Sequence, residues 1–121
     1  MVAVAKTSEP KADLASNGRA IDVEHLARMT LGERSLEREV LALFDRQADM
    51  LLPRIRRGDP AVAAASAHTL KGSAVGIGAF GVARAAEAVE RAEVAAFAEA
   101  INTLAAVLEE TKAEIARLLA N

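Results

Sequence analysis

Asp59-Pro60-Ala61-Val62-Ala63-Ala64-Ala65-Ser66-Ala67-His68-Thr69-Leu70-Lys71-Gly72-Ser73-Ala74-Val75-Gly76-Ile77-Gly78 carries both ends of a helix in its own letters. Asp59 can accept from the free backbone N–H groups of a first turn, and Pro60 stands at the first helical position, where a missing N–H costs nothing. Gly78 is the natural stop, so the stretch predicts a helix through Ala61 to about Ile77. Turning about 100° per residue from His68, Leu70, Ile77, Ala63 and Ala74 cluster roughly opposite it and form the expected core side. His68 then projects to solvent from mid-helix, with Ala61, Ala64, Ala65, Lys71, Gly72 and Val75 on its own face. An ordinary solvated face would carry Glu, Lys and Arg. This one offers one imidazole, one ammonium and a floor of small side chains that a flat partner can approach closely.

Gly72 sharpens that reading, because glycine inside a helix costs about 1 kcal/mol relative to alanine. Two explanations compete: clearance for a bulky group on His68 and a second protein, or a close helix crossing. Lys71, three residues on from His68, can bring its ammonium near an anionic group there, a contact worth about 1 kcal/mol in water and more once solvent is excluded.

Outward from this helix, the rest of the chain reads as helices too. Asp22 caps a short one that ends near Met29, with Ile21 set to staple onto Leu26. Thr30 and Glu33 have capping-box spacing, and Leu36, Val40, Leu43, Phe44, Leu51 and Ile55 then recur at three- and four-residue steps as one apolar face. Pro53 interrupts the ladder near the end of that long helix, and Arg56-Arg57-Gly58 should stop it. After Gly78 a helix from about Phe80 to near Glu93 turns Val82, Ala86 and Val89 inward, with Glu87 and Arg91 paired outside. Phe97, Ile101, Leu104, Leu108, Thr111, Ile115 and Leu118 mark a last helix whose seam faces its neighbours throughout. Short loops favour antiparallel neighbours, so the expected fold is all-α: an up-and-down antiparallel four-helix bundle with a short additional N-terminal helix. Residues 1–20 read as a flexible leader and residues 21–121 as the bundle domain.

Composition narrows the function. The 121 residues suit one domain, and 52% hydrophobic with 26% charged residues gives both a core and a wet surface. Alanine abounds while aromatics make up 2%, which favours helices over strands. A net charge of -2 supplies no field for phosphate backbones or anionic lipid, so neither nucleic acid nor membrane is an expected partner. The absence of cysteine removes disulfides, thiolate nucleophiles and Cys-based metal sites. No apolar run reaches a signal or membrane-spanning length, which makes the cytoplasm the default compartment. No uncharged seam is evident beyond those the bundle uses, which favours a monomer.

Ala67-His68-Thr69-Leu70-Lys71-Gly72-Ser73, followed by Gly78-Ala79, resembles the signature of histidine-containing phosphotransfer (HPt) domains, the relay modules of multistep two-component signalling. The similarity runs from about Ile21 to Glu93, including a long helix with Phe44 and the Glu87 to Glu90 stretch; the last helix agrees in length and pattern. Val75-Gly76-Ile77 departs from the more polar or larger sequence that many members carry before Gly-Ala, which bears on partner preference. The resemblance implies that His68 is the phospho-acceptor, that Lys71 assists electrostatically and that Gly72 keeps the site open. It implies response-regulator receiver domains and a hybrid or sensor histidine kinase as partners, with Ala61, Ala64, Ala65 and Val75 on the docking face. No cofactor would be bound by this chain, Mg²⁺ coming with the receiver, and ATP-binding or autokinase activity is not expected. The chemistry is reasonable, since an imidazole with an unperturbed pKa near 6.5 offers a nucleophilic nitrogen around neutrality without a dedicated base.

Other signals weigh less. Gly76-Ile77-Gly78-Ala79-Phe80-Gly81 matches G-x-G-x-x-G, but a dinucleotide turn needs a strand before it and both neighbours read as helices. His25 lies three residues after Asp22, a weak basis for a metal or second acceptor, and is expected to cover the short helix. Arg54, Arg56 and Arg57 satisfy a helix dipole as well as they would steer a partner. Phe44, Phe80 and Phe97 fit apolar seams. A histidine kinase fragment would carry an acidic residue directly after its histidine, where this chain has Thr69. A non-catalytic helical adaptor docking a signalling partner is the alternative to the relay.

Overall fold

Asp22 Oδ1 accepts from the backbone N–H groups of Glu24 and His25, each at 3.1 Å, and so starts the first helix of the computed structural model, which describes residues 20–121. The leader expected over residues 1–20 lies outside the described residues apart from Ala20. In chain order the helices are α1 (Val23–Met29), α2 (Arg34–Arg57), α3 (Pro60–Ile77), α4 (Phe80–Arg91) and α5 (Val94–Ala120). Two-residue connections join α2 to α3, α3 to α4 and α4 to α5, which leaves each helix antiparallel to the one before it. Helix α3 packs on α2 and α4, α5 packs on α4 and α2, and α1 lies against α3. This is the all-α four-helix bundle with a short leading helix that the periodicity predicts.

Where the caps were legible they act as read. Asp59 Oδ1 accepts from the Val62 N–H at 2.9 Å with Pro60 in the first turn, and Gly78 ends α3 in the left-handed region at φ 81°. Gly78 has a second constraint: a Cβ there would meet the Asp22 carbonyl oxygen at 2.8 Å, and the Asp22 N–H donates to the Gly78 carbonyl at 2.9 Å. The turn between α3 and α4 is thereby fastened to the start of α1. His25 adds to the joint, donating from Nε2 to the Val75 carbonyl at 2.9 Å and resting edge-on against Phe80 with ring centroids 5.1 Å apart. It secures α1 to the end of α3. The G-x-G-x-x-G stretch is the helix-to-helix turn, with no strand among the described residues.

Two expectations fail, both on α2. Thr30 does not begin a capping box: its hydroxyl donates to the Leu26 carbonyl at 2.8 Å and closes α1, while Glu33 caps α2 without a side-chain bond. Leu31 and Gly32, at φ 56° and 74°, reverse the chain between the two helices, so Thr30 belongs to the helix behind it. The inward face of α2 is Leu41, Phe44, Ala48, Leu51 and Ile55, whereas Leu36 and Leu43 are exposed and Val40 is half-buried. Both sets step by three and four, so periodicity alone does not say which one meets the core.

The centre of the bundle is closed by Leu70, Leu104, Leu108, Ile115, Val82 and Val89. Burial of each such side chain is worth about 1.5–3 kcal/mol. Ala63, Ala67 and Ala74 of α3 are completely buried, and their small size lets α3 lie close between α2 and α4. That leaves the opposite side of α3 facing outward.

Candidate functional site

The middle of α3 is held on its buried side by Ala67, Leu70 and Ala74, which sets His68 on the outer side with 67% of its side chain exposed. Helical geometry brings Lys71 to the same flank, and the antiparallel return of α4 brings Glu90 up beside both. His68 Nδ1 lies 2.8 Å from Glu90 Oε2, and Lys71 Nζ lies 3.1 Å from Glu90 Oε1. One carboxylate therefore holds an imidazole with one oxygen and an ammonium with the other. Glu90 is 20% exposed and Lys71 29%, so the pair lies partly out of water while the ring stands clear.

Burial pushes the Glu90 carboxyl up, but hydrogen bonding from His68 and Lys71, together with their charges, outweighs it and holds the group below the ordinary value of 4.5. Glu90 is thus an anion near neutrality. An ionised carboxylate only accepts, so whenever the ring is neutral the 2.8 Å contact puts its proton on His68 Nδ1 and leaves the lone pair on Nε2. The arrangement presents an oriented nitrogen nucleophile to solvent, with a negative charge behind the ring.

At Gly72 the close helix crossing is absent. A Cβ built there meets nothing within 4 Å, so no helix crosses at this point and the space beside His68 is open. Among the other residues expected on this face, Ala61, Ala65 and Val75 are exposed and Ala64 is half-buried. Ala64 lines a shallow hollow with Val89, Glu90, Val94 and Phe97, where Val94 is 92% exposed. Arg54, Arg56 and Arg57 are exposed in the last turn of α2, where they meet the helix dipole.

Glu90 is the site residue that sequence reasoning missed. It is 22 positions from His68, a separation with no helical meaning, and only the pairing of α3 with α4 makes them neighbours. Its one signal was a place in the Glu87 to Glu90 stretch, where Glu87 serves Arg91 at 3.3 Å as the four-residue spacing predicts.

Residues 39–119 of the chain match the family model for the Hpt domain. That span takes in α5 and leaves out α1, whereas the sequence resemblance runs from Ile21 to Glu93. No curated protein and no solved structure matches the chain.

Proposed function

The chain belongs to the Hpt domain family, which carries a phosphotransfer role in two-component signalling, and on that premise we propose that it is a relay protein phosphorylated on His68. It takes a phosphoryl group from a receiver-domain aspartate, or from a hybrid or sensor kinase, and passes it to another receiver aspartate. The observation that carries this reading is the exposed imidazole whose Nδ1 is occupied by Glu90, which leaves Nε2 as the free nucleophile.

The Nε2 lone pair attacks phosphorus as the aspartyl P–O bond breaks, and the bonding electrons leave with the partner's carboxylate. Nδ1 keeps its proton throughout, so the ring becomes positive as the N–P bond forms. Glu90 lies 2.8 Å from that nitrogen and offsets the charge without having to move. The reverse attack, by the next receiver's aspartate, restores the neutral ring. Lys71 supports the phosphoryl oxygens electrostatically, and Gly72 leaves the approach open. Such a transfer needs in-line positioning and charge neutralisation, and a Mg²⁺ held by the receiver is the cofactor this proposal requires; the chain has no ATP-binding role in it. Ala61, Ala64, Ala65 and Val75 form the surface against which the receiver rests.

Among the described residues no helix is long and apolar enough to cross a membrane. We take the cytoplasm as the compartment in which the relay works. Incubation with a phosphorylated receiver tests the whole proposal. Acid-labile label should pass to the wild type and not to His68→Ala, and equal labelling of the two would refute it. Partner binding that survives His68→Ala, with no phosphate on either protein, would instead make the chain a docking adaptor.

A further inference from the structure

Helices α3 and α5 begin at the same end of the bundle, because each follows a helix that runs the other way. Neither carries an acidic side chain in its first turn, although a carboxylate there would meet the positive end of the helix dipole. Charge stops at the caps, Asp59 and Glu93, and the runs that follow, Pro60 to Ala65 and Val94 to Ala98, hold no ionisable residue. Two neighbouring helix starts are thus left uncharged on a side of the molecule that faces solvent.

Between them lies the hollow of Ala64, Val89, Val94 and Phe97, about 200 Å³ in volume, with Pro60 at its edge. Val89 is buried, Phe97 is half-buried, and Val94 is 92% exposed. The polar group in its lining is Glu90, which also holds His68 and Lys71, so the hollow and the acceptor histidine share a wall. Ala64 is four residues from His68 on the same face of α3, about 6 Å along the axis. A standard protein interface takes about 800 Å² from each partner, a patch of about 16 Å radius, and one centred on His68 includes the hollow.

The walls select what enters. The volume suits one side chain and is too small for a helix. An acidic group would lose its water beside the Glu90 anion. A basic one finds both Glu90 oxygens already engaged, by His68 and by the Lys71 ammonium that would repel it. An aliphatic or aromatic group meets neither obstacle and covers the exposed Val94.

We propose that this hollow anchors one aliphatic or aromatic side chain of the receiver domain that meets His68, which makes Val94 a specificity-determining residue of the transfer. The identity of the partner rests on the relay reading; the chemistry of the anchor rests on the walls. A receiver with a carboxylate at the matching place is rejected.

Transfer to the full chain from a phosphorylated receiver, measured at increasing receiver concentration, tests the proposal. Val94→Glu should raise the half-saturating concentration about tenfold and leave the rate at saturation within about twofold of the wild type. Its far-UV circular dichroism should be unchanged, since a carboxylate suits the first turn of a helix. Val94→Lys should weaken binding as well. Ala96→Glu, which adds the same charge in the same turn about 200° around α5, should match the wild type. An unaltered half-saturating concentration in Val94→Glu, an equal effect from Ala96→Glu, or tighter binding by Val94→Lys overturns the anchor. The relay reading fails separately, if His68→Ala is labelled as well as the wild type. Titration of the unphosphorylated receiver into His68→Ala and into His68→Ala with Val94→Glu then decides the anchor without any transfer: a weaker complex in the second supports it, and equal binding, or none to either, refutes it.

Discussion

At the scale of the residue, Glu90 turns an exposed histidine into an oriented one. Glu90→Gln keeps a hydrogen-bonding group but removes the anion behind the ring, and the charge-assisted part of such a bond is worth about 1–1.5 kcal/mol. Phosphoryl transfer to His68 in single-turnover measurements should therefore slow about tenfold. The same residue sets a pH dependence. Its folded pKa is below the ordinary 4.5, so its pairing stabilises the fold above that value and is lost as pH falls through the folded value. Thermal unfolding followed below about pH 4.5 should show the wild type losing its margin over Glu90→Gln. Gly72 gives a complementary test, since open space around it means that a side chain is tolerated by the fold. Gly72→Ala should raise stability by up to about 1 kcal/mol in urea titrations. Gly72→Gln should keep helicity and stop transfer, and normal transfer kinetics would show that clearance is not what the glycine supplies.

At the scale of the element, the joint between α1 and the α3–α4 turn rests on one backbone conformation. Gly78 adopts φ 81° with the Asp22 carbonyl 2.8 Å from the position of a Cβ. Gly78→Ala incurs the left-handed cost of about 1–2 kcal/mol, and it also pushes Asp22 away. The expected loss is about 2 kcal/mol or more by chemical denaturation, with α1 amides losing protection first in hydrogen exchange. Equal protection of α1 in the variant would show that the start of α1 is held by something other than this turn. Asp22, which caps α1 and bonds Gly78 through its own N–H, joins a local signal to a tertiary one.

At the scale of the whole molecule, α5 closes the bundle against α2 in two ways. Lys112 Nζ reaches Asp45 at 2.6 Å and Asp49 at 2.8 Å, and beside it the buried Leu104, Leu108 and Ile115 fill the interior. Burial pushes the Lys112 ammonium down, but the two aspartates outweigh it and hold its pKa above the ordinary 10.5, so the contribution of the Lys112 charge is fully present below that value and lost as pH rises through the raised one. Partly exposed ion pairs contribute at most about 1 kcal/mol, whereas removing a buried leucine side chain costs about 2–5 kcal/mol. Lys112→Ala should therefore lower stability slightly, with an effect that shrinks in high salt, and Leu108→Ala should lower it several-fold more at any ionic strength. Urea midpoints in low and high salt compare the two directly. A larger loss from Lys112→Ala would mean that the charge cluster, not the apolar seam, closes the bundle.

The sequence by itself determined the helices, their order and the outward direction of His68. Caps such as Asp22 and Asp59, stops such as Gly78, and the one-sided distribution of Ala63, Leu70, Ala74 and Ile77 act within a few residues of themselves, where spacing along the chain is spacing in space. Tertiary structure alone decided which of two equally periodic faces of α2 meets the core, which helix Thr30 belongs to, and that Glu90 stands behind His68. These are outcomes of packing between segments far apart in the chain. A three- and four-residue rhythm fixes a face on its own helix but carries no information about which other helix that face will meet.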